Sequence, residues 1–247
     1  DDDNYSVVQP TLEADITALE LNVTAVVDDK DYDGTTDATL KSSVLVGKVV
    51  NDVVAIAATP TDFIFDDANA ASVIEVTATG DFTLSGADKD NYSVKTPATY
   101  SGEITTKELT VDVVANSKVY DAEDLATVTL TGLVGVVSGE DVTIDAVPTD
   151  WVFASADVSP TATTGPDVTD VTGSGAYSYK GDDTANYSLK QPALSAAITA
   201  KELTITGLTG DNKDFDDTTD ATATGSPALV GVIDGDNIAL SGTAVFT

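Results

Sequence analysis

The sequence predicts an all-β protein made of tandem immunoglobulin-like β-sandwich repeats arranged as an elongated rod. Three observations lead there: a set of landmarks recurring in one order, apolar residues alternating with period two, and no stretch carrying a helical i, i+3, i+4, i+7 stripe. A β-grasp-like unit is the alternative for the individual repeat.

The landmarks come first. Asn4-Tyr5-Ser6 recurs as Asn91-Tyr92-Ser93 and Asn186-Tyr187-Ser188. Each is followed by a Pro-containing stretch and then an Ile-Thr pair, at Ile16-Thr17, Ile104-Thr105 and Ile198-Thr199. Ala18-Leu19-Glu20-Leu21, Thr106-Lys107-Glu108-Leu109 and Ala200-Lys201-Glu202-Leu203 follow directly. A Lys-x-aromatic-Asp element comes next: Lys30-Asp31-Tyr32-Asp33, Lys118-Val119-Tyr120-Asp121 and Lys213-Asp214-Phe215-Asp216.

These copies divide the chain. Residues 1–17 read as the C-terminal end of a preceding repeat, 18–105 and 106–199 as complete repeats, and 200–247 as the N-terminal part of a further one. A section of a longer array is expected. The additional residues of the second repeat fall in Ser159–Gly175, whose Pro, Thr and Gly content predicts an enlarged loop. The joint at Thr105–Glu108 contains neither Gly nor Pro, so adjacent repeats are expected to hold a narrow range of angles.

Within a repeat the strands follow from alternation. Leu109, Val111 and Val113 share a face, followed by Val128 and Leu130, then by Val142, Ile144 and Ala146. Phe63 with Phe65, and Trp151 to Phe153, make bulky strands. Tyr92 with Val94, and Tyr187 with Leu189, make late ones, and Leu194, Ala196 and Ile198 the last. Asp33-Gly34, Ser85-Gly86 and Gly181-Asp182 supply turns. Leu84 to Tyr92 resembles a tyrosine corner, in which a hydroxyl bonds upstream backbone. The aromatic at Tyr32, Tyr120 and Phe215 predicts a core position where, since Phe is accepted, the hydroxyl is dispensable.

Composition narrows function. The formal net charge is −31, from 42 acidic and 11 basic residues, and every basic residue is Lys. Such a surface repels phosphates and anionic lipid, so neither nucleic acid nor direct membrane insertion is expected, and it attracts cations instead. With no Cys there is no disulfide framework. With no His either, no Ser-His-Asp or Cys-His catalytic arrangement is available, and an enzyme is not expected. The chain also lacks Met, which reads as a processed product or an internal piece.

The string Lys30–Thr39, the Gly-x-Asp spacing at Gly139 to Asp141 with Gly235-Asp236, the string Leu84–Ser93 and the closing Ile-Thr-x-Lys-Glu-Leu together resemble the bacterial YDG/MBG repeat family. The resemblance covers the whole chain. It implies tandem repeats of a very large secreted adhesin or surface protein, with no catalytic role. The second repeat departs from it, with Asp121-Ala122-Glu123-Asp124 where Gly-Thr-Thr is expected.

Calcium is the candidate ligand. Asp29, Asp31, Asp33 and Asp37, with Gly34, match the first nine positions of a D-x-D-x-D-G loop, in which alternate oxygens converge on a hard cation. Asn212, Asp214, Asp216 and Asp220 match nearly as well. Position twelve is Leu40 in place of a bidentate Glu, and the middle repeat offers only Ser117, Val119 and Asp121, so solvated acidic turns are the competing reading. A second acidic cluster combines Asp88, Asp90 and Asn91. Asn4, Asn22, Asn91 and Asn186 sit in N-x-S/T sequons, three of them inside the repeat motif, where a structural turn is the simpler role. Lys30 or Lys118 with Asn91 or Asn186 would suit an isopeptide crosslink, and ordinary ion pairs suit them equally.

The function expected is a structural stalk, spacer or filament segment of an extracellular surface protein, with other repeats of that protein or copies of itself as partners. The alternative is a repeat that itself binds a glycan or a protein partner in adhesion.

Overall fold

The computed structural model describes residues 2–159 and 167–242, and among them the only helical elements are 3-10 turns at Asp2–Asn4, Lys89–Asn91 and Thr184–Asn186. The rest is strand and turn, as the alternation requires. No helix of the described residues is long and apolar enough to cross a membrane.

The first repeat runs through β1 (Leu19–Val27), β2 (Lys30–Asp31), β3 (Leu40–Val46), β4 (Ala55–Ala58), β5 (Thr61–Phe65), β6 (Ala71–Thr79), β7 (Thr83–Ser85), β8 (Tyr92–Lys95) and β9 (Tyr100–Thr105). They pair as β3-β1-β8, β2-β9-β6-β5 and β4-β7. Two pairings are parallel: β1 with β8, Leu19 opposite Tyr92, and β2 with β9, Lys30 opposite Ile104. The first two strands are thus closed by the last two.

The second repeat repeats the plan with β10 (Lys107–Ala115), β11 (Lys118–Val119), β12 (Val128–Val134), β13 (Thr143–Ala146), β14 (Thr149–Phe153), β15 (Thr169–Ser174), β16 (Ser178–Lys180), β17 (Tyr187–Lys190), β18 (Leu194–Ala196) and β19 (Ile198–Thr199). The orders β12-β10-β17, β13-β16, β14-β15-β18 and β11-β19 match those of the first repeat, with the counterpart of β9 divided into β18 and β19. Beyond it, β20 (Thr204–Gly210) and β21 (Ala223–Val230) pair antiparallel. The enlarged loop expected over Ser159–Gly175 is corrected in its second half, where β15 forms. Residues 160–166 of that stretch lie outside the described residues.

Period-two burial builds the cores. Along β10, Leu109, Val111, Val113 and Ala115 are buried while the residues between them are not. Leu21, Val54 and Tyr92 form one cluster with Leu45 and Leu84, and Ala115, Phe153, Val171, Ala196 and Ile198 belong to another. Each fully buried Leu, Ile or Phe contributes about 1.5–3 kcal/mol. β5 and β14 each carry an aspartate at φ 51°, Asp62 and Asp150, where the register shifts against the neighbouring strand. Asp tolerates this left-handed conformation better than most side chains. A Cβ on Gly86 would stand 2.0 Å from the Val53 carbonyl oxygen, and one on Gly181 1.7 Å from that of Asp141, so both turns require glycine.

The chain divides into two compact units. The first is Asp1–Glu108 with Val137–Glu140 and Asp182–Ser188; the second is Leu109–Val136, Asp141–Gly181 and Leu189–Thr247. Two short turns of the second repeat therefore complete the first unit.

Candidate functional site: a locked turn and a tyrosine–carboxylate joint

The Lys-x-aromatic-Asp element is a turn closed by its own charges. Lys30 Nζ donates to Asp33 Oδ1 at 2.8 Å, to the Thr35 carbonyl at 2.8 Å and to Thr35 Oγ1 at 2.9 Å, and lies 5.9 Å from the Phe65 ring centroid. Asp33 Oδ1 also accepts from Thr35 N at 2.9 Å. Partial burial would raise the Asp33 carboxyl, but the bonds from Lys30 and Thr35 outweigh it and bring it down to about 2. Lys118 does the same with Asp121 Oδ1 at 2.7 Å and the Glu123 carbonyl at 2.6 Å, above Phe153. Lys213 does so with Asp216 Oδ1 at 2.7 Å and Thr218 Oγ1 at 2.8 Å. These lysines hold the Asp121 and Asp216 carboxyls below their ordinary value.

The residue after the aspartate is left-handed in all three turns: Gly34 at φ 78°, Ala122 at 65° and Asp217 at 59°. The second repeat's departure from Gly-Thr-Thr therefore keeps the turn, with Ala122 bearing strain of about 1–2 kcal/mol and the Glu123 backbone replacing the threonine.

This turn presents the aromatic. Tyr32 N donates to the Thr105 carbonyl at 2.9 Å, and Tyr120 N to that of Thr199 at 2.9 Å, which fixes the turn on the repeat's last strand. Inside the first compact unit the Tyr32 hydroxyl donates to Glu140 Oε1 and the Tyr187 hydroxyl to Glu140 Oε2. The two rings meet edge-on, centroids 5.5 Å apart at 79°. Val137 N donates to the Tyr187 hydroxyl at 2.9 Å. Inside the second unit the Tyr120 hydroxyl donates to Asp236 Oδ1 at 3.2 Å. Burial first, and the Glu140 carboxylate second, raise both phenols of the first joint, Tyr187 to about 12.

The acids sit at one offset in each copy. Asp52, Glu140 and Asp236 follow a left-handed Asn51, Gly139 or Gly235, and their amides donate back to Val49, Val137 and Ile233. In the first repeat Asp52 and Val49 N hold the Tyr92 hydroxyl as Glu140 and Val137 N hold that of Tyr187. This is the upstream backbone bond expected of Tyr92. Sequence reasoning passed over Glu140, although the recurrence of an acid after Leu45-Val46-Gly47, Leu133-Val134-Gly135 and Leu229-Val230-Gly231 was visible.

The aromatic is a core residue where its surroundings are described: Tyr32 is 5% exposed under a turn from the next repeat and Tyr120 packs half-buried against the cluster of Ala115 and Phe153, whereas Phe215 is 90% exposed. Both tyrosine hydroxyls, expected to be dispensable, have a carboxylate partner. Asn186 is 3% exposed, its Nδ2 donating to Asn69 Oδ1 and its Oδ1 accepting from Ala70 N, so it serves packing and is closed to a glycan. Asn4, Asn22 and Asn91 are exposed. Lys30 and Lys118 are committed to their own turns, away from any crosslink to Asn91 or Asn186.

Asp29, Asp31, Asp33 and Asp37 are exposed and turn to different partners. Asp29 accepts from Glu103 N at 2.9 Å, Asp31 from Thr105 Oγ1 at 2.6 Å and Asp33 from Lys30, and Asp37 bridges Ile64 in the backbone. Asn212, Asp214, Asp216 and Asp220 are exposed, Asp216 engaged by Lys213. Among the described residues no group of three or more His, Cys, Asp or Glu side chains is arranged to hold a metal ion.

Recurrence of one pairing order, with a recurring aromatic–carboxylate contact, defines a tandem all-β repeat protein. The YDG domain matches residues 17–100 and 105–194, and the chain belongs to the YDG domain family. No curated protein and no solved structure matches it.

Proposed function

We propose that the chain is a structural stalk, spacer or filament segment of a large extracellular surface protein, in which YDG repeats follow one another in line. What supports this is the recurrence of one contact: Tyr32 on Glu140, then Tyr120 on Asp236. A side chain whose environment comes from the succeeding repeat suits an array that transmits position. The lack of His and Cys leaves the nucleophile–base pairs of most hydrolases unbuilt. Small-angle scattering tests it. A compact globule of 247 residues has a radius of gyration of about 18 Å; the spacer reading requires a clearly larger value with a narrow distribution, and a value near the globule's overturns it.

One observation favours the second reading, a repeat that holds a glycan. A cavity of about 390 Å³ is lined by Pro148, Trp151, Asp170, Tyr177 and Pro192. Gly173 leaves room for the Trp151 ring, which a Cβ there would approach to 2.8 Å. Quenching of the single tryptophan by an oligosaccharide panel decides it; unchanged fluorescence removes this reading.

A further inference from the structure

We propose that each complete repeat carries tension along the chain through a clamp between its second and its last strand, which a pull on the two ends of the repeat loads in shear. The inference deepens the spacer reading and rests on it. The clamp is the parallel pair β2–β9 in the first repeat, Lys30 opposite Ile104, and β11–β19 in the second, Lys118 opposite Ile198. In the first repeat the chain enters at Leu19, beside Tyr92 at the start of the parallel β1–β8 pair, and leaves at Thr105, beside Asp31. Residues 19–31 and 92–105 thus run in one direction from entry to exit. Pulling Leu19 one way and Thr105 the other slides these stretches along each other, so that their bonds yield together and not in succession.

The bonds of the clamp recur in both repeats. Tyr32 N donates to the Thr105 carbonyl and Tyr120 N to that of Thr199, each at 2.9 Å. Glu103 N donates to Asp29 Oδ1 at 2.9 Å, and Ala197 N to Ser117 Oγ at 3.0 Å, so two different side chains make one bond. The Thr105 hydroxyl donates to Asp31 Oδ1 at 2.6 Å, and the Thr199 hydroxyl to the Lys118 carbonyl at 3.3 Å. Ile104 and Ile198, in the middle of these bonds, are each 1% exposed, and a last strand that slides must drag that side chain out of the core. The turn closed by Lys30 and Asp33 braces the far end of β2. After Thr105 only Thr106 precedes β10, so tension reaches the second repeat with little slack. Asp29 and Asp31 of the acidic run thereby acquire a role as clamp acceptors.

Single-molecule force spectroscopy of the whole chain tests it. The sequence has no cysteine, so paired substitutions at exposed positions define the pulling points. Glu20→Cys with Thr106→Cys loads the first repeat in shear. Glu20→Cys with Lys48→Cys peels the edge strand β3 from β1, starting where Asn22 faces Val46. The shear pair is expected to give way in one event that releases about 300 Å of chain. Its force is expected to be at least about twofold that of the peeling pair, because two or more bonds share the load. Asp29→Ala with Thr105→Val, added to the shear pair, removes most of that excess. Asp88→Ala takes a carboxylate from the Val53 amide, outside the clamp, and lowers the denaturation midpoint while leaving the shear force unchanged. The two readouts part because force reports the barrier to unfolding and the midpoint reports equilibrium stability. Equal forces in the two directions, or a fall in shear force as large for Asp88→Ala as for the clamp variant, overturns the proposal. An extended chain that parts at low force would sink the clamp alone, whereas a compact chain would sink the spacer reading.

Discussion

Glu140 accepts from two phenols at once, and each has a different reason to be there. Tyr187 belongs to the same repeat and fixes the carboxylate. Tyr32 arrives from the repeat before. Removing only the hydroxyl, Tyr32→Phe, leaves Glu140 with one buried partner fewer and is expected to cost about 1–2 kcal/mol. Tyr32→Ala removes the ring as well and is expected to cost about 3–5 kcal/mol. Chemical denaturation of the three proteins checks the order, and equal stability of the Phe variant and the parent would show the hydroxyl idle. Sequence alone suggested that equality, because Phe215 stands at the same place. Recurrence records the need for an aromatic surface, but the acceptor lies 108 positions away, where no local pattern reports it. The same joint sets an alkaline limit. Because Tyr187 is raised to about 12 from an ordinary 10.0, its neutral form stabilises the fold fully below pH 10, and that contribution is lost as pH climbs from there toward 12. Phenolate absorbance followed alongside circular dichroism should show ionisation and unfolding together; ionisation at pH 10 with the fold intact would contradict it.

At the scale of the element, the locked turn has an acid limit of opposite sense. Asp33 is lowered from 3.8 to about 2, so the ionised carboxylate favours the folded state above pH 3.8 and ceases to as pH falls toward 2. The stability gap between the parent and Asp33→Asn is expected to close across that interval; a gap independent of pH would mean that Lys30 contributes nothing through this carboxylate. The turn after β7 has a steric requirement instead. Gly86→Ala forces a side chain into the Val53 carbonyl at positive φ and is expected to cost about 2–3 kcal/mol, read as a lower denaturation midpoint. Alternation made most strands legible, Leu109 to Ala115 being the clearest case. It could not show which strands are neighbours, since a period of two assigns faces and not partners. Hence the parallel pairings of β1 with β8 and β2 with β9 were invisible in it. β15 was missed for a different reason: its Thr, Asp and Gly residues read as loop until Val171 is seen buried. The D-x-D-x-D-G run was legible as a turn, but the cation nearest Asp33 is the Lys30 ammonium.

For the whole molecule the dominant quantity is charge. At −31 the folded chain concentrates carboxylates that an unfolded chain spreads apart, so added sodium chloride is expected to raise the melting temperature. Calcium at equal ionic strength separates screening from binding: a further rise would point to ordered cation sites among the acidic turns, and an identical curve would leave screening alone. The parallel pairings bear on a different matter, the order in which the molecule can be made. Asp31 and Thr105, whose side chains bond across β2 and β9, lie 74 positions apart. A ribosome releases residues one at a time, and β1 and β2 leave it long before their parallel partners β8 and β9 have followed. Until Thr105 has emerged the first repeat waits as an unclosed sheet, as the second does until Thr199, and contacts of such long range are slow to find. The first repeat can close once Thr105 is out, but the surroundings of Tyr32 are complete only after Glu140 and Tyr187 of the second have followed.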